Sequence, residues 1–194
     1  MPANGYSYSP TPFARRLRTH MTAWRARIDG GNRSIMWRRW TDGIYAPYRD
    51  LAETAQQMDA VKLHRYTAHL LSSQAFAFNL FLPFRERGRS RLSDCVSALT
   101  ATKLTINRVQ FEWVPPGALL GEIAGERPVS GEAATAADIV LWCQLDNGLR
   151  AAVLIEVKLS EGDFSHCGGR YSQGNRRQDV CESARQFMQD PSAC

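Results

Sequence analysis

Apolar residues recur every three or four positions through FARRLRTHMTAWRARI (13–28). Phe13, Leu17, Met21, Trp24 and Ile28 make one stripe opposite an Arg-rich face, which predicts an amphipathic helix. Gly30 and Gly31 are placed to end it. The next segment, SIMWRRWTDGIYAPYRDLAE, mixes aromatics with Arg and is interrupted by Pro47. Residues 59–83 (DAVKLHRYTAHLLSSQAFAFNLFLP) predict one long helix. Its second half is apolar nearly all round, as expected of a central, buried helix, and Pro83 is its expected terminator. Ser72, Ser73, Gln74 and Asn79 are polar positions within that run. Buried polar groups need partners, so these four are expected to bond a loop or face a functional cleft. RERGRSRLSD (85–94) reads as a basic connector.

The period then changes from helical to alternating. LTINRVQFEWVPP (104–116) is rich in β-formers and predicts a strand carrying Glu112. Residues 117–135 form a Gly-rich excursion, read as a loop with three acids, Glu122, Glu126 and Glu132. Two strands follow, 137–145 and 149–159, joined by Asp146-Asn147-Gly148. The Asn-Gly pair tolerates the positive φ angles of a tight hairpin. Residues 162–180 are glycine-rich and polar, and 181–189 have helical character.

With 194 residues and 44% hydrophobic content, the chain fits one domain with a small appendage and supports a core. No apolar run reaches the ~18 residues of a transmembrane helix, and no secretory leader is recognisable. A cytoplasmic protein with no membrane partner is expected. The net charge is +5, but residues 1–40 alone hold eight Arg against Asp29. A basic surface fits a polyanion such as nucleic acid, or is simply a solvated face. Only three lysines occur, Lys62, Lys103 and Lys158, which makes the one in the hairpin conspicuous.

That hairpin holds the candidate chemistry. Glu156 and Lys158, two apart on a strand, share a face, while Val153, Ile155 and Val157 point to the core. Asp138 opens the partner strand, and the turn folds it back towards Glu156. Charges inside otherwise apolar strands are costly unless they serve a purpose. Two close carboxylates repel unless a cation lies between them, and a hard cation such as Mg²⁺ prefers oxygen ligands. Asp138, Glu156 and the carbonyl of Val157 are the candidate metal donors. Lys158 would orient or deprotonate the attacking water, or stabilise charge on a phosphoryl oxygen. The bland alternative is a salt bridge on a half-exposed face.

Asp138 followed, after seventeen intervening residues, by Glu156-Val157-Lys158 resembles the PD-(D/E)XK nuclease superfamily. HLLSSQAFAFNLFLPF is similar to the long helix before the sheet in a bacterial subgroup of it. The resemblance covers about residues 60–190. It implies an α/β (α+β) restriction-endonuclease-like core, ordered αβββαβ, in which a long buried helix precedes a mixed sheet of three or more strands with a flanking helix. It divides the chain into a basic, aromatic extension (1–55) and a nuclease-like domain (56–194). It implies Mg²⁺- or Mn²⁺-dependent hydrolysis of DNA, or of RNA, with Asp138 and Glu156 as metal ligands and Lys158 as the lysine. A catalytically inactive nucleic-acid-binding or interaction domain on the same fold is the rival expectation. Ala137 stands where the superfamily often has proline. Many members carry a helix glutamate facing the metal; here either Gln74 takes a weaker role or Glu112 supplies the acid. Arg15, Arg16, Arg18, Arg38, Arg39, Arg85, Arg87 and Arg89 are the expected phosphate contacts. Cutting both strands of a duplex would call for a homodimer. Only 36 residues follow Lys158, with no convincing strand among them, so the chain is expected to be part of a longer protein.

Cys167, Cys181 and Cys194 are spaced by 13 and 12 residues, with His166 beside the first. With Cys95 they could hold an iron–sulfur cluster, as in some superfamily members, or with His166 a zinc ion. Neither arrangement has tight Cys-x₂-Cys spacing, and ordinary reduced cysteines are the competing reading. Cys143 alternates within a strand and is expected in the core. His64 and His69 read as packed or hydrogen-bonded, and His20 as solvated.

Overall fold

The computed structural model describes residues 11–115, 123–124, 127–128 and 136–159. They fall into two units. One contains the helices and a three-stranded sheet; the other contains Val114, Pro115 and a two-residue ribbon.

Helix α1 (Pro12–Ile28) starts where the Thr11 hydroxyl accepts the Ala14 N–H (3.1 Å), with Pro12 in its first turn. The aromatic segment forms two 3₁₀ turns, Trp40–Gly43 and Ala46–Tyr48, before α2 (Arg49–Met58). Pro47 sits in the first turn of the second, which uses its fixed φ. The boundary expected at residue 55 is not a boundary in the packing. Ile44, Ala52 and Ala55 share one core with Phe78 and Phe111.

The helix expected over 59–83 is shorter at its start and longer at its end. Residues 59–72 are turns and irregular chain with one bridge, His69 to Met36, and α3 spans Ser73–Glu86. The Ser72 hydroxyl accepts the Ala75 N–H (3.1 Å) and so caps the helix there. Pro83 lies inside its last turn. A helical proline costs about 3 kcal/mol, but on the far side of it Phe84 packs against the core and Arg85 is bonded to buried Asp59, and these contacts hold the helix past the proline. Nor is α3 buried all round, since Phe76 and Leu80 are exposed.

The expected connector 85–94 is mostly helical. Only Arg87 and Gly88 separate α3 from α4 (Arg89–Thr100), and Gly88, at φ 80°, makes the left-handed turn between them.

Strand β1 (Leu104–Trp113) is followed by the short ribbon β2 (Ile123–Ala124) and β3 (Arg127–Pro128), then β4 (Ala137–Leu145) and β5 (Arg150–Ile155). The main sheet has the order β1-β4-β5, and its described strands are all antiparallel, not mixed. The β4–β5 turn is a three-residue loop. The Gly148 N–H donates to the Leu145 carbonyl and the Leu145 N–H to the Leu149 carbonyl (both 2.9 Å). Gly148 alone carries the positive φ, so this is a bulged type I hairpin rather than a two-residue turn. Phe78 of α3 stacks on Phe111 of β1 with centroids 4.4 Å apart. Ile139, Leu141 and Cys143 complete that face of the core.

Candidate active site

Register alone places three carboxylates in a row at one end of the sheet. Phe111 pairs with Ile139 and Trp113 with Ala137, so Glu112 falls opposite Asp138. Ile139 pairs with Ile155; carried one step further, that register sets Asp138 opposite Glu156. The β5 ladder ends at Ile155, but the Val157 N–H donates to Asp138 Oδ2 (2.6 Å) and ties the next residues to β4. Burial alternates from Ala151 to Lys158, with Val157 inward and Glu156 and Lys158 outward, as the period of two requires. Lys158 Nζ donates to Glu156 Oε1 (2.5 Å). The salt bridge expected of the bland reading therefore exists, but beside two further acids.

The third acid is not a choice between Gln74 and Glu112, because the two are bonded. Gln74 Nε2 donates to Glu112 Oε1 (2.9 Å) and to the Lys62 carbonyl (3.1 Å). Its Oε1 accepts the His64 N–H (3.0 Å) and the Thr67 hydroxyl. Gln74 is buried at 8% exposure, with two donated and two accepted bonds. A glutamate there would set a second carboxylate against Glu112, whereas the amide supplies a donor. Glu112 itself has φ 48°, a left-handed conformation that costs a non-glycine residue roughly 1–3 kcal/mol and marks sites the surroundings hold in place.

What holds it there begins one residue upstream. The Phe111 N–H donates to Asp59 Oδ2 (3.0 Å), and Asp59 also takes Arg85 and Arg108 (3.2 Å). The Asp59 side chain is fully buried. Sequence reasoning missed this residue, whose only signal was a carboxylate directly ahead of the apolar run.

The electrostatics of the row follow from crowding. Burial is the largest cause raising the Glu112 carboxyl from its ordinary 4.5 to about 7. The Gln74 bond opposes the rise, and the Asp138 and Glu156 charges add to it. Asp138 is also raised, first by burial and then by Glu156, against the Val157 N–H and the Lys158 charge. Two hard-oxygen side chains in excess of their cations are the donor chemistry a divalent metal suits. Among the described residues no three His, Cys, Asp or Glu side chains gather closely enough to hold a metal by themselves. The fit therefore rests on Asp138, Glu156 and backbone oxygen.

The expected phosphate contacts scatter. Arg15, Arg16 and Arg18 are exposed on α1, and Arg38, Arg87 and Arg89 are exposed elsewhere. Arg39 pairs with Glu53 (2.7 Å). Arg85 does not serve as a free phosphate contact: it is 12% exposed and bonded to Asp59. Arg25, not singled out in the sequence, is buried. It donates to the Ser34 (3.0 Å) and Met36 (2.5 Å) carbonyls and stacks on Trp37.

His64 and His69 each accept a backbone N–H at Nδ1, from Tyr66 and Leu71. Cys143 is buried and Cys95 exposed. His166, Cys167, Cys181, Cys194, the acids Glu122, Glu126 and Glu132, and the helix expected at 181–189 lie outside the described residues. Among the described residues no helix is long and apolar enough to cross a membrane.

The profile of one protein family matches residues 19–193, nearly the whole chain. Its description is restriction endonuclease associating with ARP. The chain belongs to this family. The α+β architecture, four helices with a three-stranded antiparallel sheet among the described residues, is that of a restriction-endonuclease-like domain. No curated protein and no solved structure matches the chain.

Proposed function

We propose that this member of the family is a metal-dependent nuclease of the PD-(D/E)XK type, hydrolysing DNA phosphodiesters at the end of the β1-β4-β5 sheet. The supporting observation is the register that sets Asp138 opposite Glu156, with Lys158 on the Glu156 face and Asp138 fixed by the Val157 N–H. Asp138, Glu156 and the Val157 carbonyl are the donors for Mg²⁺ or Mn²⁺. Bound there, the metal would supply an acidified water and positive charge beside the phosphate.

The chain's own residues do the rest. Glu156 holds the Lys158 ammonium at the site, where it orients the attacking water or meets charge developing on a phosphoryl oxygen. Gln74 fixes Glu112 at the flank of the row. The exposed Arg residues of α1, with Arg87 and Arg89, hold the strand by its phosphates.

A catalytically inactive binding domain is the second reading. Its support is the amide, Gln74, where a helix acid would stand, and a family description that speaks of association with ARP. Plasmid DNA incubated with the protein and Mg²⁺ or Mn²⁺ separates the two. Metal-dependent nicking, abolished by EDTA, Glu156→Ala and Lys158→Ala, is expected. Binding without nicking would support the second reading.

A further inference from the structure

A cleft of about 900 Å³ opens between α1, the 3₁₀ turns and the start of α3. None of the chemistry above uses it, yet its wall includes Leu159, the residue after Lys158. From α3 it takes Ala75, Phe76 and Asn79, on a different face of the helix from Gln74. Its rings are Trp24, Trp37, Tyr45 and Phe76. Tyr45 and Phe76 are 65% and 37% exposed, more than a core role explains. Trp37 is held rigidly: the Arg25 guanidinium lies 4.1 Å over it and Trp24 meets it edge-on at 6.2 Å. Gly43 leaves it room, since a Cβ there would come within 3.1 Å of the indole.

The charge balance around these rings is positive. The acids of the wall are engaged, Asp29 by Arg25 and Asn32 and Asp42 by the Arg39 N–H. Arg38, in the wall, and Arg18, whose charge reaches His69, have no carboxylate partner among the described residues. His69 takes the Leu71 N–H at Nδ1 (2.9 Å), which leaves its proton on Nε2 as a donor. Fixed rings, free guanidiniums and a few hydrogen-bonding edges match an unpaired nucleotide, whose base stacks while its phosphate is neutralised. At about 900 Å³ the cleft is at the upper end of pockets for small ligands. That admits one or two nucleotides and excludes a duplex.

We propose that this cleft seats unpaired nucleotides of the strand being cut, so that the enzyme acts on single-stranded or frayed polynucleotide rather than on intact duplex. This rests on the nuclease reading for the word "cut", but not for binding. The test is therefore made first in EDTA. Fluorescence anisotropy would follow labelled single-stranded DNA, single-stranded RNA and blunt duplex DNA, each about twelve residues long, within the range such sites cover.

Wild type is expected to bind at least one single strand more tightly than duplex, and the better strand tells DNA from RNA. Bases stack on aromatic rings, so Tyr45→Ala with Phe76→Ala should weaken single-strand binding by about tenfold or more. Arg38→Ala should lower the salt slope by about 0.7. Leu99→Ser, at an exposed position of α4, should change nothing, and thermal melts would confirm that each variant is folded. Equal binding of duplex, or folded ring variants that bind as wild type, would overturn the proposal. Cleavage of the same strands with Mn²⁺ separates the two ideas. Cleft-dependent binding without cutting removes the nuclease reading and leaves the cleft assignment standing. Glu156-dependent cutting of duplex, undiminished in the ring variants, does the reverse.

Discussion

Asp59, bonded to β1 at Phe111, and the row of Glu112, Asp138 and Glu156 that starts at the next residue are built in opposite ways. Asp59 is fully buried and meets Arg85, Arg108 and the Phe111 N–H, so both of its oxygens face donors and its charge is matched by two cations. Glu112, Asp138 and Glu156 are less buried, yet they face one another, with Lys158 bonded to Glu156 and one amide on Glu112. Burial alone does not separate a structural charge from a functional one; the balance of partners does. Where cations match carboxylates the charge is fixed for the fold. Where carboxylates exceed them, protons are held unusually tightly, and a divalent metal can supply the missing positive charge.

The largest expected effect falls on the unbalanced group. Asp138→Asn and Glu156→Ala should each lower cleavage by about 10²–10³ or more, while the denaturation midpoint stays close to wild type. A loss of folding with either would place these acids with Asp59 instead.

Asp59→Ala should do the opposite, destabilising by about 3–5 kcal/mol in urea titrations because Arg85 is left buried without its counter-charge. A cost under about 1 kcal/mol, typical of a surface pair, would remove the contrast.

Glu112→Gln sharpens it through pH. Glu112 and Asp138 bind protons more tightly in the folded chain than in the unfolded one. Their contribution to stability is greatest below the unfolded carboxyl range, near 4.5 for Glu112. It falls as pH rises and levels off above about 7. Glu112→Gln keeps the acceptor for Gln74 and should stabilise the protein by on the order of 1–2 kcal/mol above pH 7. It should also flatten the decline between those limits. An unchanged pH profile would show that Glu112 is not crowded.

The smallest effect concerns the cations. Arg87→Ala should leave stability unchanged and lower the salt slope of single-strand binding by about 0.7. Arg85→Ala, which strips Asp59 of a partner, should lower stability instead.

How much of this was legible in the sequence follows from the range of each interaction. The hairpin, the shared face of Glu156 and Lys158, and the proximity of Asp138 all follow from period-two geometry and a nearby turn. Helix α1 follows from helical period in the same way, although Phe13 and Ile28 of its expected stripe are exposed and Arg25 is buried. The start of α3 was misread because residues 59–72 have helical composition, while Ser72 caps and Gln74 binds the preceding turn through its side chain. Pro83 was misread because its cost is local and the burial opposing it is tertiary. Asp59 and Arg25 act on partners across the fold, which a linear pattern does not encode. The link between Gln74 and Glu112 spans 38 positions, so the two looked like alternatives when they are a pair.

Titration of Mn²⁺, followed by electron paramagnetic resonance, tests the central claim most directly. Wild type should hold one Mn²⁺ that Asp138→Asn and Glu156→Gln each release, while Asp59→Asn, if folded, retains it. A wild type that binds no Mn²⁺, or one whose site survives both sheet-end substitutions, would contradict the account.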